Sequence, residues 1–177
     1  MQDKNELIEH LEKVHASIAE WVKFAEAKNA ALLVFDMSLL AVYQQFYIEW
    51  LSLIGIIIIV ISGLITLWTF SPNAGNRKNL RFKNSGQGSK IEGVKNLYYW
   101  GAIAACQDTK DYLAKTRDRY FSTIPHQEIE TDKRAYDIAE EIYINSKIAA
   151  NKYGMFKRAL TIDMAVFALS ILVFICA

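Results

Sequence analysis

The chain has 177 residues, 53% of them hydrophobic and 22% charged, with a formal net charge of +1. That balance excludes a strongly basic nucleic-acid binder and an acidic tail. The two cysteines, Cys106 and Cys176, lie too far apart for a disulfide framework or the closely spaced ligands of a metal site, so both are expected as unpaired thiols.

Residues 1–29 predict a cytosolic amphipathic helix. Leu7, Leu11, Val14, Ile18, Trp21 or Val22, and Ala25 recur at steps of three and four, with Glu6, Glu9, Glu12, Lys13, Glu20 and Lys23 between them. The seam fits packing against another helix. His10 and His15 lack the i, i+4 spacing of a metal pair and are expected as solvated side chains. The segment has no apolar centre of a secretory signal, which favours a chain retained whole.

Residues 30–46 form a first apolar run holding one acid, Asp36. Tyr47, Ile48, Glu49 and Trp50 make a short polar tip, and residues 51–71 follow as a second run. From Leu51 to Phe70 there is no charge for 20 residues. At 1.5 Å per residue that length matches the roughly 30 Å hydrocarbon core of a bilayer. Trp50 and Trp68 flank it as interface aromatics.

Residues 72–155 predict a cytosolic loop and helical sensor region. Asn73 to Asn96 is rich in Gly, Asn, Ser and Lys without sustained period, the signature of a mobile loop. Tyr98, Tyr99 and Trp100 follow as an aromatic cluster. Asp108, with Asp111 three residues on, is placed to cap a helix bearing Tyr112 and Leu113. Pro125 ends that unit, and a last helix is expected to begin near Thr131 or Asp132. Its seam is Tyr136, Ala139, Tyr143, Ser146, Ala150 and Tyr153, and it continues through Gly154 into a third apolar run, residues 156–177.

Of the 20 Lys and Arg, four (Lys4, Lys13, Lys23, Lys28) precede the first run and the rest lie between Arg77 and Arg158. The bias of cations toward the cytosolic side then places the N-terminus and the sensor region inside, with three transmembrane helices. The predicted fold class is an all-α membrane protein whose cytosolic helical extensions form a small bundle. The first and third runs each carry a single acid, Asp36 and Asp163, roughly 10 Å from the cytosolic edge at 1.5 Å per residue. Such acids face protein or water, since each costs about 2.5–3.5 kcal/mol on insertion. Asp163 could reach Lys157 or Arg158, both acids could bond across helices, or they could line a pore.

No nucleophile elbow, HExxH, CxxC pair, phosphate-binding loop or dinucleotide glycine pattern occurs, so neither an enzyme nor a cofactor is expected. His126 has no evident partner in the sequence.

Several segments, in order and spacing, carry a family resemblance. They are FAEAKNAALLVFDMSLLAV (Phe24 to Val42), the second run ending at Phe70, Ser71 and Pro72, NLYYWGAIA (Asn96 to Ala104) with Tyr112 and Leu113, and YDIAEEIYINSKIAANKYGMFKRAL (Tyr136 to Leu160). Together they resemble the transmembrane effectors of bacterial Pycsar anti-phage systems. The resemblance implies a homo-oligomeric inner-membrane protein, acting on the lipid bilayer, that senses a cyclic pyrimidine mononucleotide (cyclic CMP or cyclic UMP) made by a cognate cyclase. Membrane integrity is then lost and infection aborted.

For such a ligand, Tyr98, Tyr99 and Trp100 could stack on the base, and Lys110, Lys147 and Lys152 could bind the phosphate. A constitutive membrane scaffold and a small transporter or channel subunit using Asp36 and Asp163 are the alternatives.

Overall fold

A computed structural model describes residues 2–43, 49–70, 96–125 and 132–176. Nearly all of the loop expected over Asn73–Asn96, the last three residues of the first apolar run (44–46), Tyr47 and Ile48 of the tip, and His126 lie outside these residues. Five helices run in the order α1 (Gln2–Tyr43), α2 (Glu49–Trp68), α3 (Trp100–Ala104), α4 (Thr109–Tyr120) and α5 (Lys133–Cys176), with no strand among the described residues. The amphipathic N-terminal segment and residues 30–43 of the first apolar run thus share one 42-residue helix. Nothing between Gln2 and Tyr43 could break it, for the stretch contains neither Gly nor Pro.

Two compact units divide the chain, 1–23 with 75–150 and 24–74 with 151–177, and both long helices contribute to each. In the first unit, Leu7, Leu11, Val14 and Ile18 of α1 pack on Ala135, Ala139 and Ile142 of α5 and on Ile103, Tyr112 and Leu113. Each fully buried Leu or Ile contributes about 1.5–3 kcal/mol. The α5 seam is turned slightly from the expected one, burying Ala149 in place of Ala150. Trp21 stays exposed, so the α1 seam passes through its neighbour Val22.

Helix ends in this unit are set by side chains. Asp108 Oδ1 accepts from the Asp111 amide at 2.8 Å, and Asp111 Oδ2 accepts from the Gln107 amide at 2.9 Å, so two otherwise orphan donors are satisfied at the start of α4. Beyond α4, Arg117 Nε donates to the Ile124 carbonyl at 2.8 Å, closing the chain just before Pro125. Asp132 Oδ1 accepts from the amides of Arg134 and Ala135 and so caps α5.

The second unit comprises the C-terminal part of α1, α2 and the C-terminal part of α5. Tyr43 lies against Gly55 and Asp36 against Gly63, so α1 and α2 run antiparallel. Val34, Met37, Leu53, Leu64, Met164 and Phe167 face outward, with Val34 67% and Met164 57% exposed, while Asn29, Asp36, Ser62, Thr66 and Asp163 are buried. Large apolar side chains thus cover the outside while part of the interior is polar, the rest of it including Leu32, Leu39, Ile59 and Val166, which departs from the ordinary pattern. Among the described residues, no helix is long and apolar enough to cross a membrane.

Candidate functional site

Within the second unit, buried polar groups are stacked in layers. At one end Lys152 Nζ lies 2.7 Å from Glu26 Oε1 and 3.2 Å from the Thr69 carbonyl, tying α5 to α1 and to the chain just beyond α2. Lys28 stands over Phe24 at 4.6 Å and near the rings of Tyr153 and Phe156. Asn29 and Thr66 are buried deeper along the same helix faces, and among the described residues neither the Asn29 amide nor the Thr66 hydroxyl has a hydrogen-bond partner.

The middle layer holds Asp36 and Asp163, close enough for their carboxyls to interact directly. Apart from the facing carboxyl, no hydrogen-bond donor among the described residues reaches their four oxygens. Asp163 therefore does not turn back to Lys157 or Arg158, which are exposed. Ser62 donates to the Ala159 carbonyl at 3.5 Å in this layer, and Gly63 leaves room beside Asp36 Oδ2. At the other end Leu39, Tyr43, Ile59 and Val166 form an apolar cluster, in which the Tyr43 hydroxyl donates to the Val166 carbonyl at 3.2 Å.

In the first unit the expected sensor residues do not converge on one point. Tyr98 turns to α1, where its hydroxyl and His10 Nδ1 are 2.9 Å apart. His10 is enclosed by the rings of Tyr98, Tyr120 and Phe121 at 4.9, 5.0 and 5.3 Å, so it is not the solvated histidine its spacing suggested. Burial, aided by the charge of Lys13, holds the His10 imidazole below its usual range. His15 Nε2 lies 3.2 Å from Glu141 Oε2.

Tyr99 and Trp100 pair with ring centroids 4.9 Å apart, and the Tyr99 ring lies over Gly101, where a Cβ would come within 2.6 Å of it. Lys147 stands over the Tyr143 ring at 5.1 Å, and the Tyr143 hydroxyl donates to the Gln107 carbonyl at 2.9 Å. Lys110 is exposed in the first turn of α4. Lys110 and Lys147 have no carboxylate partner among the described residues. Lys152, in contrast, belongs to the second unit and is committed to Glu26 and Thr69.

The turn between α3 and α4 is acidic as well as basic. Lys115 pairs with Asp111 at 2.7 Å, and Lys115, Lys147, Asp111 and Asp108 all act electrostatically on Cys106. That thiol is buried, which pushes it up to about 11 and leaves it a protonated, unreactive group. No group of His, Cys, Asp and Glu among the described residues is arranged to hold a metal ion.

Sequence reasoning missed Tyr143 as the tie to residue 107, Lys115 beside the same turn, and Asn29, Ser62 and Thr66 inside the second unit. The first two depend on contacts 36 residues apart or on turn geometry. Ser62 and Thr66 show in the sequence as polar interruptions of the second apolar run at the spacing of the buried face, and Asn29 stands immediately before the first run. The chain matches the Pycsar effector protein domain, PycTM, over residues 10–177. No curated protein and no solved structure matches it.

Proposed function

The chain belongs to the Pycsar effector family, whose role is anti-phage defence, and from that premise we propose that it senses a cyclic pyrimidine mononucleotide through its first unit and impairs the bacterial inner membrane through its second. The observation that carries the membrane half is the apolar outer face of the second unit beside its buried acids, with Val34, Leu53, Leu64 and Met164 exposed and Asp36 and Asp163 buried. In water that arrangement leaves a wide apolar surface exposed; in a bilayer the outer face meets lipid and the acids face protein. The charge-free stretch Leu51–Phe70 supplies one full span, and the apolar runs 30–46 and 156–177 the other two. With cations confined to one side, the N-terminus and the first unit are cytosolic.

For the sensor half, support comes from cations that the fold leaves uncommitted. Lys147 over Tyr143, and Lys110 at the start of α4, are available to a phosphate, while Tyr99 and Trp100 offer ring faces to a pyrimidine. A ligand shifts packing only by binding one state better than another, so the effector rests as a closed homo-oligomer and the nucleotide favours a leaky arrangement. The test is leakage of a trapped dye from liposomes containing the full chain, with calorimetry of cyclic CMP and cyclic UMP on the same protein. Saturable binding with ligand-dependent leakage is the expected result; leakage indifferent to both nucleotides rejects it.

A further inference from the structure

The polar groups inside the second unit have a direction. By helix register they run from the Lys152–Glu26 pair, past Asn29 and Thr66, to Asp36, Asp163 and Ser62, and stop at the apolar cluster of Leu39, Tyr43, Ile59 and Val166. Asn29, Thr66 and both acids are at most 2% exposed, yet among the described residues the Asn29 and Thr66 side chains find no hydrogen-bond partner and the two carboxyls meet only each other. A buried amide and hydroxyl without partners, on one inner face with two carboxyls that meet only each other, are costly in a merely structural core, where each lost hydrogen bond costs about 1–3 kcal/mol. The same groups suit a conduit, where they replace part of the hydration shell of a passing ion.

We propose that the interior of this unit is a path for small monovalent cations, lined by Asn29, Thr66, Ser62, Asp36 and Asp163 and closed by Tyr43 seated on Gly55. The acids set the sign of the permeant ion, because a ring of carboxyls favours cations. Tyr43 is the stopper for a geometric reason. A Cβ on Gly55 would overlap Cε1 and Cδ1 of the Tyr43 ring, so the ring closes the bundle only because position 55 has no side chain. The hydroxyl then locks onto the Val166 carbonyl of α5, and one side chain thereby joins all three helices. Gly63 is different, since a Cβ there would lie 3.7 Å from Asp36 Oδ2 in ordinary contact. This path rests on the proposal that the unit lies in a bilayer, and it deepens that proposal by making the lesion an ion-selective leak.

The test uses the full chain in liposomes loaded with potassium chloride, with potassium efflux and the reversal potential under a salt gradient as readouts and no nucleotide added. Tyr43→Ala and Gly55→Ala are expected to raise potassium efflux at least about tenfold over the unsubstituted protein, while Tyr43→Phe and Gly63→Ala stay closed. Adding Asp36→Asn and Asp163→Asn to Tyr43→Ala is expected to abolish the preference for potassium over chloride. Flotation with the liposomes scores insertion, and Gly55→Ala carries the comparison if Tyr43→Ala does not insert.

Efflux no higher than the unsubstituted protein in the inserted variants overturns the path, as does a leak that passes chloride equally while the acids are intact. Nucleotide-triggered dye leakage from the unsubstituted protein beside silent Tyr43 and Gly55 variants overturns the path and leaves the effector proposal standing. Potassium leakage from those variants with no response of the unsubstituted protein to cyclic CMP or cyclic UMP does the reverse.

Discussion

Lys152 and Glu26 lie 2.7 Å apart, with the Thr69 carbonyl completing the ammonium's shell at 3.2 Å. A cation at the carbonyl end of a helix is favourable through the helix dipole as well as through the hydrogen bond. Lys152 is therefore a clamp on the second unit, and its charge is already spent. Lys152→Ala is expected to lower stability by about 1 kcal/mol, the modest size following from the half-exposed Glu26 partner. Thermal unfolding in detergent measures it. Nucleotide affinity is expected to stay unchanged, and a large loss of affinity would return Lys152 to the ligand site.

Lys147 has the opposite expectation. Its ammonium stands over Tyr143 without a carboxylate partner, so removing it should cost little stability. A charge-assisted hydrogen bond to phosphate contributes about 1.5–3 kcal/mol, and Lys147→Ala is accordingly expected to weaken cyclic nucleotide binding about tenfold to a hundredfold. Lys147→Arg should recover part of it. Calorimetry on both variants decides, and equal affinity in Lys147→Ala moves the phosphate elsewhere.

How much of this was legible in the sequence depended on whether the signal was local. The α1 seam from Leu7 to Ile18, the Asp108 cap and the two isolated acids could be read directly, because period, cap spacing and a charge in an apolar run are short-range features. The continuity of α1 was obscured by its change of composition near residue 24, although a change of polarity does not break a helix and only Gly or Pro would have done so. The facing of Asp36 and Asp163 was not legible, since it depends on the register of helices 127 residues apart in the chain. His10 was misjudged for the same reason: its aromatic box is assembled from Tyr98, Tyr120 and Phe121, all far from it in sequence.

That box makes His10 a sensitive point for pH. Burial first, then the charge of Lys13, lowers its folded value below the ordinary 6.5. The unfolded chain therefore takes up a proton at higher pH than the folded one. Stability from this group is present above about pH 6.5 and is lost as pH falls toward the lowered folded value. Denaturant titrations of the full chain between pH 5 and pH 8 should show stability declining below about pH 6.5. His10→Phe, which keeps a ring among Tyr98, Tyr120 and Phe121, should flatten that limb, whereas an unchanged slope would assign it to another group.

Asp132 joins two roles that substitution can separate. Oδ1 caps α5 through the amides of Arg134 and Ala135, and Oδ2 meets Lys4 at 2.9 Å, pinning the start of α1 to the start of α5. The Lys4 hydrogen bond is the main cause that holds this carboxyl below its usual range, opposed by burial and assisted by the two amides. Because the folded value is depressed, the stability it contributes is complete above the unfolded value of about 3.9 and disappears as pH drops through the folded one. Asp132→Ala removes cap and ion pair together and should cost about 1–2 kcal/mol near neutral pH. Asp132→Asn retains a good capping side chain, so it should cost only the ion pair, about 0.2–1 kcal/mol given a Lys4 side chain that is 46% exposed. Both should also lose the part of the acid transition that begins below pH 5. If Asn proves as damaging as Ala, the ion pair and not the cap holds α5 in place.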